Sequence, residues 1–274
     1  MRARRFVGCL FLVASCEVGA LPSPSSVTGL RVLTLTADAP EVRPGGAPRV
    51  EAVTLFPSAN SGDVVRWRLC AERDLSDPRD CPSSPRGVDL GLGGSVQLPA
   101  LADLDADTNY VVLASACAGA IPTIDPSNGR ALCGSSPSVE AFRRVIVRRA
   151  GALNANPRAR RWTLSRLGET TEVTGDEVTL ARCAMTSCGP WTVSVEPEAG
   201  SAEATPDGAE SLVGSFYATR GSLDRPRDSA SPGEVRALTA RWTLPEGSEG
   251  ARVAYVLRDL RGGDSARRAT VRWR

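Results

Sequence analysis

The feature that most constrains the fold is a series of short runs in which apolar and polar residues alternate, with turn residues between them. Alternation with a period of two places one face of a strand in a core and the other in solvent. In the run 64–70, for example, Val65, Trp67 and Leu69 fall on one face. Runs of this kind, separated by Pro-Gly, Asn-Ser-Gly and Gly-Gly turns, predict an all-β protein built from sandwiches.

The predicted strands form two groups, with the turn sequence Asn154-Ala-Asn-Pro157 near the boundary between them. We expect two domains, 27–149 and 150–274, because 274 residues are enough for two cores. The sequence Arg-Gly-Gly-Asp-Ser at 261–265 predicts a hairpin between the last two strands. The predicted strands are 30–36, 49–56, 64–70, 95–98, 110–117, 139–148, 162–166, 177–183, 191–196, 212–219, 236–244, 252–260 and 266–274. The Trp residues at 67, 162, 191, 242 and 273 lie within these strands, and core packing is expected for them.

One local signature points to a more specific fold. The residues from Leu104 to Val112, L-D-A-D-T-N-Y-V-V, resemble the L-x-x-x-T-x-Y-x-V stretch that leads into strand F of fibronectin type III and related immunoglobulin-like domains. In those domains the tyrosine, here Tyr110, closes the corner between strands E and F. The resemblance implies two consecutive immunoglobulin-like β-sandwiches and says nothing about a ligand.

Two further patterns support a duplicated domain. Glu41-Val42-x-x-Gly45 precedes the apolar run 50–53, and Glu172-Val173-x-Gly175 precedes 178–180, and both resemble the start of an immunoglobulin-like sheet. The segments 216–223 and 255–263 resemble uncharacterised tandem immunoglobulin-like envelope lipoproteins of GC-rich Gram-negative bacteria. That resemblance implies fold and location only.

The N-terminus has the organisation of an export signal. A basic region, 1–5, precedes an apolar run, 6–14, which as a helix would rise about 14 Å, roughly half of a bilayer core of about 30 Å. The run ends in Val-Ala-Ser-Cys, which resembles the lipobox of bacterial lipoprotein precursors. The resemblance implies cleavage after residue 15, acylation of Cys16 with chains such as palmitate, and a Pro/Ser-rich tether at 16–26. The alternative is an ordinary secretory signal with an incidental cysteine.

The chain has eight cysteines, of which Cys9 lies inside the apolar run and Cys16 is the expected lipid acceptor. The remaining six, an even number, predict three disulfides in an exported protein. Proximity favours Cys70–Cys81, Cys117–Cys133 and Cys183–Cys188. The main alternative joins Cys70 to Cys117 and Cys81 to Cys133.

Composition excludes several kinds of chemistry. The chain has no His and no Lys, so Ser-His-Asp relays, imidazole metal sites and Schiff bases are excluded. No C-x-x-C pair appears, so we expect no zinc site and no cofactor. Loss of residues 1–15, with their three Arg and no acid, lowers the formal charge from +2 to −1, so nucleic-acid binding is not expected.

Acidic residues offer two alternatives to a simple binding protein. Asp103, Asp105, Asp107 and Asn109 alternate like the start of a calcium loop, but the EF-hand positions for Gly and Glu hold Thr108 and Ala114. A solvated turn is the simpler interpretation. Glycoside hydrolysis needs only paired carboxylates, and Asp224, Asp228, Asp259 and Asp264 all lie near predicted turns.

The function predicted from these patterns is non-enzymatic. We expect a cell-envelope protein that is held in a membrane by its N-terminal lipid, in the outer membrane rather than the inner one. It would display two sandwiches to an unknown envelope protein or glycan. The long loops 72–94 and 118–138 are the expected recognition sites. The Arg-rich stretch 143–161 predicts either a patch for anionic envelope polymers or a solvated strand edge. The alternative function is an envelope glycan hydrolase or its accessory module.

Overall fold

A computed structural model describes residues 24–57, 64–102, 106–182, 189–205, 208–245 and 250–274. Within these ranges, the first half has ten strands and two short 3₁₀ helices, at Glu72–Asp74 and Pro78–Ser83. The strands are β1 (Arg31–Ala37), β2 (Glu41–Val42), β3 (Arg49–Leu55), β4 (Val65–Ala71), β5 (Val88–Gly93), β6 (Ser95–Gln97), β7 (Thr108–Cys117), β8 (Thr123–Ile124), β9 (Ala131–Leu132) and β10 (Ser138–Val147).

These strands form a sandwich of two sheets. Sheet I has the order β2-β10-β7-β4-β5, and sheet II has the order β1-β3-β6. Alternate residues of the facing strands fill the space between the sheets, with Trp67 fully buried at the centre. Tyr110 lies at the start of the buried part of β7, the central strand of sheet I. The period-two prediction for residues 65, 67 and 69 is confirmed.

The second half is a sandwich of the same kind. Sheet III has the order β13-β22-β21-β17-β19, and sheet IV has the order β12-β11-β14-β20-β18. Trp162 meets Tyr255 edge-to-face in the core, with ring centroids 5.1 Å apart. The strands are β11 (Ala159–Arg166), β12 (Glu169–Glu172), β13 (Glu177–Leu180), β14 (Trp191–Pro197), β15 (Ala204–Thr205), β16 (Gly208–Ala209), β17 (Val213–Ala218), β18 (Ser222–Asp224), β19 (Arg227–Ser229), β20 (Leu238–Thr243), β21 (Ala251–Arg258) and β22 (Asp264–Trp273).

The two sandwiches share a topology, and the predicted all-β fold of two consecutive immunoglobulin-like sandwiches is confirmed. In each, a short strand pairs in parallel with the last strand, β2 with β10 and β13 with β22. The predicted correspondence between the Glu41-Val42 and Glu172-Val173 patterns is wrong, however. Glu41–Val42 corresponds in the structure to β13, which begins Glu177-Val178, whereas Glu172 ends β12. Both β2 and β13 thus begin with Glu-Val.

The sandwiches pack face against face, sheet II on sheet III. Leu33, Val53 and Leu55 from β1 and β3 form a buried apolar cluster with Ala254 and Val256 from β21. A register shift in β1 between Val32 and Thr34 makes this possible, because it turns Leu33 outward while Leu35 stays in the first core. The sheets therefore stack in the order I, II, III, IV.

A buried ion pair fixes the position of one sandwich on the other. Arg143 of β10 is paired with Asp264 of β22, and both side chains are less than a tenth exposed. Arg143 also donates to the carbonyl oxygen of Leu35 at 2.7 Å and of Gly262 at 2.9 Å. Asp264 in turn accepts from the Thr34 hydroxyl, and its backbone N–H donates to Asn156 Oδ1 at 3.0 Å. The guanidinium thus joins strands of both sandwiches.

The linker between β10 and β11 carries a second polar junction. Arg148 forms a bidentate ion pair with the buried carboxylate of Glu41. This carboxylate also accepts a hydrogen bond from the Asn154 backbone N–H at 2.8 Å. The Asn154 side chain donates to Asp259 at 3.1 Å, which connects the linker to the second sandwich. Burial raises the pKa of Glu41, but the hydrogen bonds from Arg148 and Asn154 and the charges of Arg148 and Arg261 outweigh it, so the pKa lies below its ordinary value. Burial raises the pKa of Asp259.

Several predictions concern residues outside the described ranges. Cys16, the signal region 1–15, most of the tether and the Cys183–Cys188 pair all lie there. Within the described ranges, no helix is long and apolar enough to cross a bilayer.

The Arg143–Asp264 pair yields a stability prediction. Replacing Arg143 with Ala leaves a buried carboxylate without its cation, and we expect a loss of about 3–5 kcal/mol in the free energy of unfolding. Arg144→Ala is the matched control, because its pair with Glu72 is half exposed and is worth about 1 kcal/mol or less. Urea unfolding followed by Trp fluorescence measures both, and equal losses would contradict the role given to Arg143.

The lowered pKa of Glu41 yields a pH prediction. Its ionised form stabilises the fold above the ordinary value of 4.5, and this contribution disappears as the pH falls through the lowered folded-state pKa. Glu41→Gln is therefore expected to cost about 2 kcal/mol near neutral pH, and the difference from wild type should shrink in acid. Glu177→Gln, which affects an exposed pair with Arg272, should show a much smaller difference. Urea titrations across the acid range measure this, and a difference that stays constant with pH would be inconsistent with the assignment.

Candidate functional site

The two long loops predicted as recognition sites cover the same face of the first sandwich. One follows β4 and the other follows β7, and these strands are antiparallel neighbours in sheet I. Cys70 lies opposite Val111 at one end of the pair, and Ala116, next to Cys117, lies opposite Val65 at the other. The loops therefore start at opposite ends of the sheet and run over its outer face toward each other. We call residues 71–87 and 118–137 together the cap.

A disulfide and the hydrogen bonds of an arginine hold the first loop of the cap on the sheet. The Cys70–Cys81 bridge is buried together with Val111 and Leu113 of β7, and Leu75 packs on this cluster. Arg68, on the outer face of β4, donates to the carbonyl oxygens of Cys81 at 3.0 Å and Ser84 at 2.7 Å. The outer face of β4 and β7 is thus a second, small core that the loop covers.

The second loop of the cap is a hairpin closed by the Cys117–Cys133 bridge. Its strands β8 and β9 pair Thr123 with Leu132. Gly129 has a φ of +71°, and a Cβ at that position would lie 2.2 Å from the carbonyl oxygen of Pro82. Glycine is therefore required where the hairpin touches the first loop.

The tip of this hairpin is held by one carboxylate. Asp125 accepts from the Ser127 backbone at 2.8 Å, the Ser127 hydroxyl at 2.7 Å and the Asn128 side chain at 2.8 Å. The hydrogen bonds from Ser127 lower the pKa of Asp125, so the carboxylate is ionised and accepts all three hydrogen bonds at ordinary pH. Its backbone also receives a hydrogen bond from the Gly129 N–H at 2.8 Å. The tip thus has a defined conformation without a core beneath it.

Apolar side chains are exposed on this ordered hairpin. Ile121 is 63% exposed and Leu132 is 47% exposed. Ile121 lies two residues before Thr123, which is the partner of Leu132 across the hairpin. Both side chains are therefore accessible to a partner on a hairpin whose conformation is already fixed. Sequence analysis placed recognition on these loops but missed Arg68 and Asp125, although Asn-Gly at 128–129 is a recognisable turn signal.

Three of the four carboxylates considered for hydrolysis accept hydrogen bonds from other side chains. Asp264 is paired with Arg143. Asp228 accepts hydrogen bonds from both terminal nitrogens of Arg236, at 2.8 and 3.0 Å. Asp259 accepts from Asn154 and from the backbone of Arg261 and Gly263. Asp224 is exposed at the end of β18. The structure brings Asp259 and Asp264 to the two ends of one hairpin, where each holds the junction between sandwiches.

The Arg-rich stretch is largely neutralised by local carboxylates. Arg143 is buried against Asp264, and Arg144 contacts Glu72 of the cap. Arg148 contacts Glu41 and Asp107, and the pairs Arg160–Glu196 and Arg161–Glu172 lie on the surface of the second sandwich. The charges of this stretch thus serve the domain junction and strand surfaces.

Two of the three predicted local disulfides are present, Cys70–Cys81 and Cys117–Cys133. Asp107, considered for calcium, accepts from Arg148 and from the Arg149 backbone. Over the ranges that the structure describes, no group of three or more His, Cys, Asp or Glu side chains is arranged to hold a metal ion.

Comparisons with known proteins give distant likenesses. No protein-family model and no curated protein matches the chain. Among solved structures, dimeric latent PorU from Porphyromonas gingivalis is 12% identical with a TM-score of 0.23, over 90% of this chain and 20% of that one. The Yersinia pseudotuberculosis adhesin InvE is 12% identical with a TM-score of 0.22, over 89% of this chain and 60% of that one. Dpr11 IG1 bound to DIP-gamma IG+IG2 is 7% identical with a TM-score of 0.20, over 89% of this chain and 98% of that one. This chain therefore spans only part of the first two proteins, and at these scores the likenesses assign no function.

The disulfide of the hairpin yields a prediction. Removing it by Cys117→Ala with Cys133→Ala should cost about 2–4 kcal/mol, because the unfolded chain gains the freedom of an open loop. It should also speed amide hydrogen exchange at Asp125 and Gly129, since the hairpin has little core of its own. Cys70→Ala with Cys81→Ala is the control. Amide exchange at the hairpin tip should be slower in this variant than in the first one. Exchange at the tip unchanged in the first variant would refute the view that the bridge orders it.

Proposed function

We propose that this protein is a non-enzymatic, lipid-anchored cell-envelope protein that holds two sandwiches as one rigid unit and uses the cap as its binding surface. The observation that carries the proposal is the cap itself: two cross-linked loops that meet over one sheet and expose Ile121 and Leu132 on an ordered hairpin. Acylation of Cys16 supplies the anchor.

The order of the cap favours binding over a structural role. A loop that is already held in one conformation loses little entropy when a partner binds it. The Asp125 turn and the two disulfides supply this order, although neither is needed to fill the core between sheets I and II. Sandwich loops are also a common place for recognition residues.

The chemistry of the cap favours a protein ligand over a glycan. Its exposed apolar residues are aliphatic, whereas rings that stack on sugars are aromatic. Four of the five tryptophans, at 67, 162, 191 and 242, are buried in the two cores. A partner with a complementary apolar surface would cover Ile121 and Leu132 and contact the polar tip, which carries Asn128 and Arg130.

The binding prediction is tested by substitution on the hairpin. Ile121→Asp with Leu132→Asp places charges in the apolar contact and should reduce capture of the partner at least tenfold, because each charge would have to be desolvated. Leu167→Asp is the control, since Leu167 is 67% exposed in a turn of the second sandwich. Cross-linking in the native envelope with quantitative mass spectrometry measures the captured proteins. Equal loss in both variants, or no loss in the first, would refute binding through the cap.

The anchor is tested separately by mass spectrometry of the mature N-terminus. We expect a chain that begins at Cys16 and carries acyl groups. A mature chain that begins elsewhere, or an unmodified Cys16, would refute the lipid anchor and leave the binding test unaffected.

A further inference from the structure

The N-terminal segment is bound to the second sandwich before it enters the first. The Val27 N–H donates to the carbonyl oxygen of Ala218 at 2.9 Å, and the Ala218 N–H donates to that of Ser25 at 3.0 Å. Ser26 thereby pairs in parallel with Ala218 at the end of β17. Val27 is buried in the apolar cluster between the sandwiches. The segment 24–27 is therefore held at a fixed place on the second sandwich.

Three arginines and an aromatic ring lie around this place. A cavity of about 350 Å³ opens beside Pro24 and is lined by Tyr217, Pro226 and Arg227. Arg31 donates to the carbonyl oxygen of Pro24, and Arg225, which precedes Pro226, is exposed. We call the surface formed by Pro24, Arg31, Tyr217, Arg225 and Arg227 the exit face.

The exit face carries a net positive charge. Over the part of the chain that the structure describes, no carboxylate lies within 4.0 Å of the guanidinium groups of Arg31, Arg225 or Arg227. Asp228 is already paired with Arg236, while the exposed Asp224 offsets one of the three charges. This pattern differs from the Arg-rich stretch 143–161, where five arginines have carboxylate partners.

We propose that the exit face rests on the anionic lipid headgroups of the membrane that holds the anchor. The proposal depends on the acylation of Cys16 described above. Seven residues lie between Cys16 and Pro24, and the eight residue-to-residue steps span at most about 29 Å when fully extended, so the exit face stays near the surface. Anionic headgroups attract arginines that lie within a Debye length, and tyrosine is enriched at membrane–water interfaces. The headgroup contact would be a second attachment beside the lipid and would orient the sandwiches.

The experiment uses the acylated protein reconstituted into vesicles of phosphatidylcholine, with or without phosphatidylglycerol. Amide hydrogen exchange is followed in peptides from 213–231, which include Arg225 and Arg227. We expect exchange about fivefold slower on the anionic vesicles than on the neutral ones, and we expect high salt to abolish the difference. Arg225→Glu with Arg227→Glu should abolish it too. Arg79→Glu with Arg130→Glu, the same charge change on the cap, should preserve it.

The outcomes separate this proposal from the anchor. Sedimentation with both kinds of vesicle tests the anchor, and wild-type protein that stays in the supernatant would overturn the proposed anchoring and this contact with it. Protein that sediments but exchanges equally fast on both vesicles would overturn the contact alone, as would a charge-reversed variant that keeps the slower exchange. If the charge-reversed variant melts at a different temperature from wild type, Arg225→Gln with Arg227→Gln replaces it. The same loss of the exchange difference between the two kinds of vesicle is expected.

Discussion

The arrangement of the whole molecule depends on the Arg143–Asp264 ion pair between the two sandwiches. A buried pair contributes little net stability, because desolvation offsets most of the attraction, but losing one partner is costly. Arg143 also binds backbone carbonyl groups of both sandwiches, so other relative positions would leave a buried charge without its partners. The apolar contact of Leu33, Val53 and Leu55 with β21 favours association without fixing its geometry. The pair therefore specifies the geometry.

A fixed geometry gives the two surfaces of interest defined positions. The cap covers the outer face of sheet I, and the exit face lies at the edge of sheet III, with sheet II between them. If the sandwiches moved independently, a contact at the exit face would not determine where the cap points. The ion pair, the linker network around Glu41 and the Ser26–Ala218 pairing thus fix the position of the exit face relative to the cap.

Sequence reasoning succeeded where the signal is local and failed where partners are distant. Strands such as β3 and β7 were found within a few residues because each alternates or stays apolar over its whole length. The two-residue strands β8 and β9 could not be predicted because they are too short to show a period. Arg143 was assigned to a surface patch or strand edge, since Asp264 lies 121 residues away and only the packing of two sandwiches brings them together. The cap was located from loop length and cysteine spacing, but the contact of Gly129 with Pro82 depends on tertiary structure.

Small-angle X-ray scattering of a chain that begins at Pro24 tests most directly whether the two sandwiches form one body. A single compact body of this size should have a radius of gyration of about 18 Å and should fit without flexible averaging. Sandwiches linked end to end would give a value above about 24 Å. The first result is the one expected from the buried junction, and the second would contradict it.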